Sequence, residues 1–168
     1  MRVRIEKLRK RDLPGFYKLF KKALFEDFKE YSPEVAEYQW RRHRKNYLLK
    51  AVKTGEETVF LAKIKDKIVA ILVTDRPLGG VANCGWLIVA PDFRGSGLGT
   101  KMLEFWEKWA KKAKCHMLTL TSDARNLKFY EKRGFKEYGF MKKGYFNDDD
   151  YLLYKRIGVW NKKSLGVK

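Results

Sequence analysis

The chain holds only two cysteines, Cys84 and Cys115, and two histidines, His43 and His116, in 168 residues. So few thiols exclude a disulfide-stapled scaffold, and no Cys/His spacing of a structural metal site is present. Long apolar runs are also missing: no stretch approaches the roughly 20 residues that a bilayer-spanning helix needs. The opening MRVRIEKLRKRD lacks the apolar centre of a secretory signal. Linkers and internal repeats are absent. Together these absences predict a soluble, cytoplasmic, single-domain protein with no metal and no membrane contact. Acidic residues are scarce relative to basic ones, 20 against 38, which leaves a formal net charge of +18.

Apolar residues are plentiful. They make up 45% of the chain, and 15% of residues are aromatic, enough to build a core and to exclude disorder. The positive balance has two readings. It suits an anionic partner, whether nucleic acid, membrane surface or polyphosphate cofactor, or it is a densely charged solvated surface. The run Arg41, Arg42, Arg44, Lys45 reads as a solvated helix face, with a nucleic-acid stripe as the alternative.

Hydrophobic spacing predicts the order β-α-α-β-β-β-α-β-α-β-β. Val3–Leu8 alternates as a strand. Asp12 is placed to cap a helix with Phe16, Leu19, Phe20, Ala23 and Leu24 on one face, and SPEV starts a second helix with Ser32 at its N-cap. Gly55 closes that region. TVFLAKI and IVAILVT read as a buried hairpin around KDK, and VANCGWLIVA as a strand ended by Pro91. A helix with Leu98, Met102, Phe105, Trp106 and Trp109 on one face follows, then the strand CHMLTLT and a short helix stopped by Gly134. Two strands, near 136–141 and 151–157, bracket KKGYFNDDD. This is an α/β chain with a mixed sheet.

FRGSGLGTKM, at Phe93–Met102, places three glycines in five residues directly ahead of a helix. Backbone without side chains, feeding a helix N-terminus, makes a ready anion site: the first amides have no intrahelical acceptor and the dipole end is positive. The spacing is neither the dinucleotide fingerprint nor a Walker loop. VAPDFRGSGLGTKML instead resembles the pyrophosphate loop, motif A, of the GCN5-related N-acetyltransferase (GNAT) family. NLKFYEKRGF, at Asn126–Phe135, resembles that family's motif B. The likeness covers about residues 56–157; the N-terminal helices match in kind only.

The resemblance implies a single GNAT-like domain of α+β type over 1–157, a mixed central sheet flanked by helices, with 158–168 as a tail. It implies acetyl-CoA as cofactor and direct transfer of its acetyl group to an amine. Leu87, Ile88 and Val89 would offer backbone groups to the pantetheine amides. Arg94 and the amides of Gly95, Ser96, Gly97, Leu98, Gly99 and Thr100 would hold the pyrophosphate. Asn126 and Phe129 would flank the pantetheine arm, while Arg125 and Lys128 would reach the 3′-phosphate or simply face solvent. Tyr130 would protonate the departing thiolate, unless it is only a packing ring.

The pattern departs from the family where many relatives carry a glutamate. The strand before the loop, Val81 to Trp86, has no carboxylate, so water, Asp75 or Glu26 is left to take the amine's proton. Asp123 and Asn126 replace an asparagine and an alanine of motif B. Cys84 reads as a buried small hydrophobe rather than a nucleophile. Acids gather at Glu26, Asp27 and Glu30 and again at Asp148, Asp149 and Asp150, either as rims for a cationic acceptor or as turn-forming residues. The expected partner is an amine-bearing acceptor, small molecule or protein, with the chain a monomer or homodimer. Two other functions fit less of the sequence: a coenzyme A-binding regulator without turnover, and a basic nucleic-acid-binding module.

Overall fold

A computed structural model of the chain describes residues 3–165. Seven strands form one mixed sheet in the order β1-β2-β3-β4-β5-β7-β6. The chain divides into two compact units, Met1–Thr74 with Trp86–Met102, and Asp75–Gly85 with Leu103–Lys168; strand β4 and helix α4 run through both.

In the first unit, β1 (Val3–Lys7) pairs antiparallel with β2 (Glu57–Ile64), and β3 (Lys67–Asp75) follows. The runs Val59–Ala62 and Ile68–Val73 are buried without alternation, as strands covered on both faces must be. Helix α1 (Leu13–Lys22) packs its stripe of Leu13, Phe16, Leu19 and Phe20 into the core. A Cβ on Gly15 would lie 3.0 Å from Ile68 Cδ1, so this glycine sets how closely α1 meets β3. The helix then widens into one π-type turn over Ala23–Asp27, where the Phe28 amide reaches back to the Ala23 carbonyl at 3.0 Å.

Two expectations for this region change. Asp12 does not cap α1. It sits in a short 3-10 turn, Lys10–Asp12, and is buried; its carboxylate accepts from the Arg9 amide at 2.9 Å and from Lys63 Nζ at 2.6 Å. Its backbone is already helical, whereas a capping residue needs extended dihedrals. The second correction concerns the predicted second helix, which is two: α2 (Pro33–Arg42) and α3 (Lys45–Thr54). The break falls at His43. Its ring turns inward against Phe20, Trp86 and Tyr47, Nδ1 donates to the Gln39 carbonyl at 2.8 Å, and the Tyr17 hydroxyl takes the His43 carbonyl. The His43 amide keeps its helical bond to Gln39 at 3.1 Å, while its carbonyl accepts from a tertiary partner, Tyr17, at 2.9 Å. Ser32 caps α2 through its hydroxyl and Gly55 closes α3 at φ 72°, both as the sequence predicts.

In the second unit, Val81–Cys84 of β4 (Val81–Val89) pairs in parallel with Met117–Leu120 of β5 (Met117–Ser122). Strand β7 (Asp150–Arg156) lies antiparallel to β5, and β6 (Lys136–Met141) antiparallel to β7 with an irregularity between Glu137 and Gly139. Cys84, Leu118, Leu120 and Leu153 are buried. Helix α4 (Leu98–Lys112) crosses from β4 to β5, and α5 (Leu127–Glu131) from β5 to β6, with Gly134 at φ 83° ending the latter. After β7, the amides of Ile157 and Gly158 donate to the His116 carbonyl. The tail then forms a 3-10 turn over Lys162–Leu165 and sets Ser164 beside Gly80. Residues 166–168 of the expected tail lie outside the described residues.

Candidate active site

The glycine loop takes its shape from backbone conformation. Gly95 and Gly97 have φ of 73° and 79°, the left-handed region that favours glycine. A Cβ at either would meet nothing within 4 Å, so conformation and not crowding requires glycine there, and the amides are open to close approach. The Ser96 hydroxyl donates to the Phe93 carbonyl at 2.6 Å and steadies the turn. As α4 begins, the Lys101 amide donates to the Gly97 carbonyl at 3.1 Å, and a helix start of this kind presents a positive dipole end to an anion. This donor set fits a pyrophosphate.

Arg94 is anchored at two points. Its Nε donates to the Val89 carbonyl at 3.1 Å, and Nη2 pairs at 2.9 Å with Asp27, whose side chain is 11% exposed. The π-type turn is what delivers Asp27 to that guanidinium. The sequence had placed these two residues in different roles; the fold joins them, which commits Asp27 to holding Arg94. Two of the guanidinium's five N–H donors are used in this way. Of the strand residues expected near pantetheine, Ile88 is buried and Leu87 and Val89 are partly exposed. Glu26 is exposed and pairs weakly with Lys22 at 4.0 Å, while Glu30 is partly buried.

In the second unit, Asp123 caps the short helical segment through its bond from the Asn126 amide at 3.1 Å. The same carboxylate accepts from Asn126 Nδ2 and from Arg125 at 2.8 Å, so the replacement of the motif's asparagine supplies an acid that organises this turn. The Phe129 ring lies under the Arg133 guanidinium at 3.7 Å and edge-on to Tyr130. Burial pushes the Tyr130 phenol well above its ordinary pKa, with the Cys84 thiol and the Asp123 carboxylate adding to the rise; the phenol stays protonated at neutral pH. Asp149 and Asp150 accept from the Lys143 and Tyr145 amides at 3.0 and 2.6 Å, so both pin the 142–147 turn; Asp148 bonds through its own backbone to Tyr145 and Gly144.

The carboxylate missing from β4 has a near substitute. Asp75 Oδ2, at the end of β3, accepts from Asn83 Nδ2 at 2.7 Å, and the Thr119 hydroxyl donates to Asn83 Oδ1 at 3.3 Å. Strand alternation alone carried a weak signal of this: Asn83 sits between buried Ala82 and Cys84, on the opposite face. Among the described residues, no group of three or more His, Cys, Asp or Glu could hold a metal, and no helix is long and apolar enough to cross a membrane.

Comparison with known proteins bears on the same loop and strand. The chain is 27% identical over 151 residues to an uncharacterized N-acetyltransferase of Methanocaldococcus jannaschii, covering 79% of this chain and 60% of that protein. The chain therefore spans about 60% of the length of the curated relative it matches. Among solved structures, the PaiA N-acetyltransferase of Thermoplasma acidophilum, in complex with coenzyme A, superposes with a TM-score of 0.76 at 20% identity, over 93% of this chain and 99% of that one. The ribosomal-protein-S18-alanine N-acetyltransferase of Escherichia coli gives 0.71 at 21% identity, over 96% and 97%. These likenesses establish the fold. The sequence profile described as the acetyltransferase (GNAT) family matches residues 13–135, and on that match, with the glycine loop it contains, the chain belongs to the GNAT acetyltransferase family.

Proposed function

We propose that the chain is an acetyl-CoA-dependent N-acetyltransferase acting on a primary amine, carried on a small molecule or a protein. The observation that carries this is the loop from Arg94 to Gly97, whose two left-handed glycines open α4, in a chain of this family. The amides from Gly95 to Thr100 and the remaining N–H groups of Arg94 bind the pyrophosphate. Backbone groups of Leu87, Ile88 and Val89 hold the pantetheine amides, and Asn126 and Phe129 flank the arm. When bound, the cofactor supplies a thioester. That thioester would give its acetyl group to the neutral amine, and Tyr130 would donate its phenolic proton toward the sulfur that leaves. The attacking nitrogen loses a proton, which restores Tyr130. Asp27, Asp149 and Asp150 serve the fold first; with Glu26, Glu30 and Asp148 they add a negative field that favours a cationic acceptor.

Thermal stabilisation by acetyl-CoA tests the site. A ligand at a hundredfold excess over its Kd stabilises by about 2.7 kcal/mol. In Gly97→Asp, a carboxylate stands where the pyrophosphate belongs and a side chain is forced into φ 79°. A folded Gly97→Asp protein should show no shift with acetyl-CoA; a shift equal to the parent's would refute the site. Thiol release with spermidine, an alanyl peptide and kanamycin then ranks acceptor classes.

A further inference from the structure

We propose that Asp75 is the general base that takes the proton from the acceptor's ammonium, and that Asn83 and Thr119 position it. The inference rests on the acetyltransferase reading and deepens it. The three side chains form one chain of hydrogen bonds across three strands: Thr119 hydroxyl to Asn83 Oδ1, and Asn83 Nδ2 to Asp75 Oδ2 at 2.7 Å. Both ends of the Asn83 amide are therefore fixed by partners of opposite character. Among the described residues no other donor reaches Asp75, and its carboxylate is exposed, so an incoming ammonium meets an available oxygen.

Placement supports the role. Asn83 and Cys84 are consecutive on β4 and point to opposite faces of the sheet. On the Cys84 face lie Leu120 and Leu153, and the Cys84 thiol is one of the groups acting on the Tyr130 phenol. On the Asn83 face, register places Val81, Met117, Thr119, Thr121, Leu152, Tyr154 and Arg156, and strand alternation adds Asp150 at the start of β7. Asp75 is the carboxylate bonded to Asn83, whereas Asp150 is held by the Tyr145 amide. Of the charged and titratable groups on the strands near Asp75, Arg76 follows it in the chain, β2 beside β3 begins at Glu57, β4 has Cys84 behind Asn83, and β7 brings Asp150, the Tyr154 phenol and Arg156.

The step balances simply. The ammonium N–H bond breaks and its proton passes to the Asp75 carboxylate and on to solvent; the freed lone pair forms the carbon–nitrogen bond. An alkylammonium has a pKa of about 10, so without a base the neutral fraction grows tenfold per pH unit below that value.

The test is the pH profile of kcat/KM for Asp75→Asn against the parent, with whichever of spermidine, the alanyl peptide or kanamycin the parent acetylates fastest. General-base loss predicts a deficit of about 10²–10³-fold near pH 7. That deficit should shrink about tenfold per pH unit as solution supplies the free amine, while the acetyl-CoA thermal shift stays at the parent value. Asp75→Glu should recover part of the rate, and Asn83→Ala should lose less than Asp75→Asn. A deficit that is the same at every pH, or no deficit, overturns the base assignment and leaves the acetyltransferase reading standing. A parent that acetylates none of the three amines overturns the acetyltransferase reading, and the base with it.

Discussion

Proton transfer from a phenol to a thiolate is uphill even in water, since the two groups differ by about 1.5 pKa units. Burial raises the Tyr130 phenol further, so the group stays protonated across neutral pH but gives its proton reluctantly. In the proposed mechanism it would donate a strong hydrogen bond to the sulfur as negative charge develops there. Tyr130→Phe keeps the ring against Phe129 and Phe135 and removes only the donor. We expect kcat to fall about 10²-fold, the low end of general acid catalysis, with acetyl-CoA affinity and melting temperature unchanged. Steady-state kinetics beside a thermal melt separate the outcomes: parent-like kcat with every amine would return Tyr130 to a packing role. The motif singled out the tyrosine as a candidate. Asp75 was legible only as one acid among several, because no local pattern links residue 75 to residue 83.

Among the elements, β1, β2 and the entry to α1 are locked by one charge cluster. The Lys63 side chain is only 5% exposed, and its Nζ meets Glu6 and Asp12 at 2.6 Å each. Burial alone would raise the Asp12 pKa, but the bonds from Lys63 and the Arg9 amide outweigh it and hold the carboxyl below its usual range; the bond from Lys63 lowers Glu6 as well. Carboxyls depressed in the folded state contribute stability that is present above their unfolded values near pH 4 and lost as pH falls through the folded ones. Burial likewise opposes the charge on Lys63, and the two carboxylates outweigh it, so its pKa is raised and its contribution is lost only above the ordinary lysine range. Lys63→Met leaves Asp12 buried without its cation and should cost about 3–5 kcal/mol in urea unfolding at pH 7. The penalty should shrink as pH falls and Asp12 becomes protonated; a loss under about 1 kcal/mol at pH 7 would show that the cluster adds nothing net. Neither this cluster nor the break at His43 follows from periodicity. Both arise where a side chain finds a partner dozens of residues away, and local propensity is then overridden.

At the scale of the whole molecule, the charge of +18 remains a statement about association and not about fold. Of the basic run, Arg41, Arg42 and Arg44 are exposed, and Arg41 is paired with Glu37 at 2.6 Å, as a solvated helix face would be. Binding to unrelated DNA duplexes, followed by fluorescence anisotropy, should therefore be weak, indifferent to sequence and steeply reduced by salt. Tight, sequence-selective binding at physiological salt would contradict the acetyltransferase reading of this surface. By itself the sequence determined the seven strands and the helices apart from the break at His43, the mixed sheet, the capping by Ser32 and Gly55, and the family, because periodicity, caps and a glycine loop are local and survive in one dimension. The tertiary structure alone decided that Asp27 holds Arg94, that Asn83 brings a β3 carboxylate to β4, and that Asp12 turns inward to Lys63. Each of these depends on which distant strand or helix turn becomes a neighbour. Polar groups choose their partners only after burial has fixed the backbone and made an unpaired charge costly.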